Sequence, residues 1–201
     1  MMLRRTALTL LAAGTLAGCA AMNRLDADVS SYGTWPAGRA PGSFAFERLP
    51  SQQAQGVRQA QLEAAARGAL ERAGFTQAAE PAAADVTVQL GARVTRYDTS
   101  PWDDPFWWRW PGPHWRYHGW YPGPYAFGGP YGGATRYDRE VALLIRDRKT
   151  GAPLYESRAV SDGYSSGDGQ VLTAMFDAAL KDFPTPAVSP RKVVVPLASA
   201  R

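Results

Sequence analysis

The chain has 201 residues, 22 Lys+Arg against 18 Asp+Glu, and a single cysteine. One thiol excludes a disulfide framework and a multi-thiolate metal site. Residues 1–18 carry two arginines and no acid, so 20 basic and 18 acidic side chains remain beyond them, a near-neutral balance with no basic stripe that excludes nucleic acid as an expected partner.

At the N-terminus, Arg4 and Arg5 precede an eleven-residue, largely apolar run from Thr6 to Leu16, and the sequence then reads Leu16-Ala17-Gly18-Cys19. Charge, a short apolar run and small residues in that order predict a signal peptide over residues 1–18, cut between Gly18 and Cys19. The run falls short of the roughly 20 apolar residues that a membrane-crossing helix needs, and no later stretch approaches that length. The quartet resembles the lipobox of bacterial lipoproteins, in which the thiol receives a diacylglycerol before the peptide is cut. The first expected partner is therefore a lipid bilayer, entered by palmitate-type acyl chains on Cys19, with each buried methylene worth about 0.8 kcal/mol. Ala20 and Ala21 follow the cysteine, which resembles the default routing to the outer membrane, facing the periplasm.

Residues 19–42 read as a lipidated N-terminus and linker, 43–184 as a single α+β domain, and 185–201 as a tail with a possible edge strand at Val193 to Val195. Within the domain, Ser43 to Arg48 alternates as a strand, with Phe44 and Phe46 on one face. From about Gln53 to Ala73, Leu62, Ala66, Ala69, Leu70 and Ala73 recur at helical spacing. Gly74 can cap that helix in the left-handed conformation, with Phe75 as its apolar contact. Val86, Val88, Leu90, Ala92 and Val94 alternate with polar residues, which gives a strand with one buried face.

After the aromatic segment, Tyr137, Val141, Leu143 and Ile145 share a strand face, Asp147 to Gly151 reads as a turn, and Leu154 to Ser161 returns as a hairpin. Asp168 can cap a final helix with Leu172, Met175, Phe176, Ala179 and Phe183 inward, ended by Pro184. Strands wet on one side favour antiparallel pairing. The expected fold is α+β, an antiparallel sheet of about four or five strands with two helices on one face, in which Val88, Leu90, Val94, Val141, Leu143 and Ile145 meet the helices.

The lipobox, Ser30 to Thr34 with Ser43 to Phe46, Leu70 to Phe75, Ala84 to Val88, the hairpin from Arg146-Asp147 to Thr150-Gly151, and a last helix ending Phe183-Pro184 together resemble a family of bacterial lipoproteins known only as a domain of unknown function. The resemblance covers most of residues 25–184. It departs from the family at the Pro/Gly stretch from Trp35 to Gly42 and at Tyr155, where such hairpins often carry a tryptophan. It implies a compact α+β envelope domain and supplies no catalytic residues.

Gly163-Tyr164-Ser165-Ser166-Gly167 matches the G-x-S-x-G pattern of a serine hydrolase between a strand and a helix. Both histidines, His114 and His118, precede Ser165, however, whereas the hydrolase order requires one after it. The same two histidines are four apart, a metal spacing only on a helix, and Pro111, Pro113 and Gly119 argue against one; Asp103 and Asp104 would be the further ligands. Gly128 to Gly133 lacks the lysine and the following helix of a phosphate loop. No catalytic residue, metal or other cofactor is expected.

The segment 98–135 is an aromatic, Pro/Gly-rich insert. It holds six of the seven tryptophans and twelve aromatic residues in all among its 38. Its residues Trp107, Trp108, Trp110, Trp115 and Trp120 offer rigid faces for an envelope protein or a glycan. The leading expectation is thus a membrane-anchored envelope lipoprotein with a non-catalytic binding or scaffolding domain. An accessory subunit of an envelope assembly or export complex comes second, and a serine hydrolase using Ser165 third.

Overall fold

A computed structural model describes residues 23–98 and 135–197. In chain order these form β1 (Arg24–Gly33), β2 (Ser43–Glu47), α1 (Pro50–Gln53), α2 (Gly56–Arg72), β3 (Thr76–Gln77), a 3₁₀ turn (Pro81–Ala83), β4 (Val86–Asp98), β5 (Thr135–Asp147), β6 (Pro153–Gly163), α3 (Gly169–Ala179) and β7 (Arg191–Pro196). The strands make one seven-stranded sheet in the order β3-β2-β4-β5-β6-β1-β7.

β1 pairs antiparallel with β6 and with β7. β2 pairs parallel with β3 and with β4, in the register Phe44↔Val86 and Glu47↔Gln89. β4 and β5 run antiparallel, as contacts at both ends show: Arg148 N donates to Asp85 O at 3.2 Å, and Thr135 Oγ1 donates to Asp98 Oδ1 at 2.7 Å. The sheet is therefore mixed, and it carries three α-helices among the described residues.

This corrects the expected antiparallel sheet of four or five strands with two helices. From β2 the chain passes through α1 and α2 before it reaches β4, and a crossover through helices returns it to the end of the sheet from which it left, so the two strands run parallel. The sheet is also wider, because β1 lies in the stretch read as linker and β7 in the stretch read as tail. In β1, Leu25, Ala27 and Val29 are buried while Arg24, Asp26 and Asp28 are exposed, the period of two that one-sided burial imposes.

α2 ends in a Schellman cap. Gly74 takes φ +95°, its N–H donates to Glu71 O, and Phe75 N–H donates to Leu70 O at 3.0 Å, with the Phe75 ring buried. α3 starts on Asp168, whose Oδ1 accepts from Gln170 N and Val171 N at 3.0 Å.

The chain divides into two compact units. In the first (among the described residues, 23–93, 139–161 and 167–197), one face of the sheet meets α2 and α3 over Val29, Phe44, Leu70, Val86, Val88, Leu90, Val141, Leu143, Ile145, Met175 and Phe176. Trp35 closes one end of this core against Phe75 and Phe183, with ring centroids 5.7 Å and 4.8 Å away, and Tyr155 meets Phe183 edge-on at 5.3 Å. Tyr155 thus fills the tryptophan-like position as a core ring, and burial pushes its hydroxyl up to about 12.

The second unit comprises, among the described residues, 94–98, 135–138 and 162–166. Within it, Tyr97 OH donates to Asp138 at 3.0 Å, and the Arg136 guanidinium lies 5.2 Å from the Tyr164 ring centroid. Val94, expected to face the helices, is instead 41 % exposed, because the burial alternation of β4 stops after Leu90.

Candidate functional site

Gly18 and Cys19 lie outside the described residues, but the point at which the fold takes up the chain is defined. Asn23 Nδ2 donates to Leu197 O, and Leu197 N donates to Asn23 O, both at 2.9 Å. This two-way clasp, four residues after the cysteine, ties the residue before β1 to the residue after β7. No helix among the described residues is long and apolar enough to cross a membrane.

Trp107, Trp108, Trp110, Trp115 and Trp120 also lie outside the described residues, as do Asp103, Asp104, His114, His118 and Gly128 to Gly133. What the structure fixes is the neck of that insert, where Asp98 accepts from Thr135 Oγ1 and from Arg96. These bonds hold its carboxyl below the ordinary carboxylate range, the Thr135 hydroxyl contributing most. Among the described residues, no group of three His, Cys, Asp or Glu converges as a metal site.

Ser165 is exposed, in the loop between β6 and α3. A nucleophile elbow follows a strand of a parallel sheet, whereas β6 is antiparallel to β1 and is the return arm of a hairpin from β5. The Gly/Ser loop instead leads into the Asp168 cap, which accounts for its composition.

Among the described residues, three shallow clefts flank α3. One of 410 Å³ is lined by Ala69, Arg72, Asp177, Leu180, Phe183 and Val195. A second of 430 Å³ lies between Arg72, Gln170, Thr173, Asp177 and Leu197. A third of 530 Å³ lies between Gln61, Ala65, Asp168 and Leu172. The ion pair of Arg72 with Asp177 lines the first two and joins α2 to α3 across 105 positions of sequence. No sequence signal marked these clefts, since the residues that line them become neighbours only when the helices pack.

The β5–β6 turn gathers several donors on one carboxylate. Asp147 Oδ1 accepts from Lys149 N, Thr150 N and Thr150 Oγ1, and Oδ2 accepts from Arg39 Nη1 at 2.8 Å. The Thr150 backbone N–H, then Arg39 and the Thr150 hydroxyl, bring its carboxyl down to about 2. This carboxylate closes a turn and pins the loop after Trp35.

Residues 26–185 match the family described as a domain of unknown function, DUF4136. The chain belongs to that family. This DUF4136 chain shares 15% identity and a TM-score of 0.46 with a PDZ domain protein from Parabacteroides distasonis, the alignment covering 89% of this chain and 42% of that one. A PelC dodecamer from Paraburkholderia phytofirmans has 15% identity and a TM-score of 0.40, covering 77% of this chain and 95% of that one. A DUF4136 family protein from Bacteroides thetaiotaomicron has 16% identity and a TM-score of 0.30, with coverage of 80% and 94%. No curated protein matched the chain in sequence.

Proposed function

We propose that this DUF4136 chain is a bacterial envelope lipoprotein, acylated on Cys19 at the outer membrane and facing the periplasm, whose folded domain binds or scaffolds another envelope component without catalysing a reaction. The observation that carries the reading is Leu16-Ala17-Gly18-Cys19 at the end of a short charged-then-apolar leader, with the only thiol of the chain at the cut. The start of β1 five residues later supports it, because the domain begins where a mature lipoprotein would need it. A binding role is supported by the aromatic insert, whose Trp107, Trp108, Trp110, Trp115 and Trp120 suit a protein or glycan partner.

Acylation is tested by replacing Cys19 with Ser and following uptake of labelled palmitate and fractionation of the membranes. The variant should remain an uncut or soluble precursor without label. A variant recovered in the membrane at the mature size would overturn the anchor, and wild-type protein recovered with the inner membrane would overturn the routing.

A further inference from the structure

We infer that Tyr97, Arg136, Asp138, Asp162 and Tyr164 form a saccharide-binding patch that takes a short neutral glycan. The inference rests on the binding role proposed above and gives that role a place and a ligand class. All five residues belong to the second compact unit, and in sequence Tyr97 and Arg136 stand just outside Asp98 and Thr135, the two ends of the aromatic segment.

Strand geometry brings them together. Asp98 meets Thr135 at 2.7 Å across the antiparallel β4 and β5, so one step along each strand Tyr97 and Arg136 are neighbours on the opposite face. Asp138, two positions after Arg136, shares that face and accepts from Tyr97 OH at 3.0 Å. Asp162 near the end of β6 and Tyr164 just beyond it are also two positions apart, and both meet Arg136. Its Nη1 donates to Asp162 Oδ2 at 3.5 Å and its Nη2 to the Tyr164 hydroxyl at 3.3 Å, with the guanidinium 5.2 Å from the Tyr164 ring centroid. Both rings stay accessible, Tyr97 being 36 % and Tyr164 70 % exposed.

A pyranose ring presents C–H bonds on its faces and hydroxyls around its rim. Exposed tyrosine rings can cover the faces, while the carboxylates accept from rim hydroxyls and the guanidinium donates to them. One cation stands against two carboxylates in the patch, which disfavours an anionic ligand. Size decides between sugar and protein. A stable protein interface takes about 800 Å² and roughly 20–30 residues from each side, far beyond five side chains, whereas a short saccharide needs no more. Nor does stability account for the cluster, since an exposed ion pair such as Arg136 with Asp162 contributes little.

The test titrates the purified full chain by calorimetry with the neutral trisaccharides chitotriose, cellotriose and mannotriose. At least one should bind, and Tyr164→Ala and Tyr97→Ala should each weaken that binding about tenfold or more. Tyr164→Phe, which keeps the ring, and Tyr32→Ala, which removes an exposed ring of β1 outside the patch, should bind like the unaltered protein. No binding of any trisaccharide, or binding that survives both alanine substitutions, overturns the patch. Palmitate uptake and crosslinking in intact cells are scored on the same variants. Sugar binding without palmitate uptake supports the patch and overturns the anchor alone, while a crosslinked partner kept without sugar binding overturns the patch and leaves the binding role standing. A protein partner lost with Tyr164→Ala when no sugar binds makes the patch a protein surface and overturns the glycan.

Discussion

Ser43 and Asp85 hold each other in both directions. Ser43 N and Oγ donate to Asp85 Oδ2 at 2.8 Å and 2.7 Å, while Asp85 N donates to Ser43 Oγ at 3.1 Å and to Ser43 O at 2.9 Å. They lie one position before Phe44 and Val86, the pair with which the β2–β4 register begins. The clasp therefore sets where the parallel strands start, and the Ser43 backbone N–H, more than its hydroxyl, holds the Asp85 carboxyl below its ordinary range.

Acid should loosen the β5–β6 turn before it reaches the core. Asp147 titrates at about 2 in the fold against 3.8 in a free chain. A depressed carboxyl contributes stability that is fully present above the unfolded value and lost as pH falls through the folded one. Asp147→Asn should make the denaturation midpoint less sensitive to pH between about 4 and 2 than in the unaltered protein. Parallel pH profiles of the two proteins would count against the turn as the acid-sensitive element.

Gly33 should tolerate no side chain. It has φ +127°, and a Cβ there would lie 2.4 Å from Leu154 O and 2.9 Å from Tyr155 Cα, both backbone atoms of its partner strand. Gly33→Ala should cost more than about 1 kcal/mol in urea denaturation, since the strain has no flexible neighbour to absorb it. An unchanged midpoint would mean that β1 and β6 separate freely at Gly33↔Tyr155.

The side of β4 on which the core ends can be read from two truncations. Leu90 is 2 % exposed and Val94 41 % exposed. Leu90→Ala should lose about 2–5 kcal/mol, and Val94→Ala should stay within about 0.5 kcal/mol. Comparable losses at both would extend the core past Ala92.

The insert should be removable. Because Asp98 and Thr135 already meet at 2.7 Å, deleting Asp103 to Gly133 and joining the flanks with a Gly/Asn turn should leave a folded, acylated domain. If the tryptophans make the proposed contact, crosslinking in intact cells should then lose the partner captured by the full-length protein. A retained partner removes the insert from the contact surface, and a collapsed melting transition makes those rings part of the core.

The elements that could be read from sequence are those whose evidence is local. The helical spacing of Leu62, Ala66, Ala69 and Leu70, the Gly74-Phe75 stop, the Asp168 cap and the alternation from Val86 to Leu90 each depend on residues a few positions apart. β1 carried the same signal in Leu25, Ala27 and Val29, but its place between the lipobox and a Pro/Gly stretch made it read as linker. Parallel pairing of β2 with β4 left no such mark, because it follows from where the helical crossover sets the chain down. Arg39 finding Asp147 across 108 positions left no local mark either.

Both borders of the sheet are poor templates for another strand. On one side β3 has only two residues, and on the other β7 has six, with Pro190 just before it, Pro196 at its end, and Arg191 and Lys192 leading it. Proline offers no N–H to an incoming chain, and cations repel a like edge. Copies crowded side by side would thus be kept from zipping their sheets into a common aggregate.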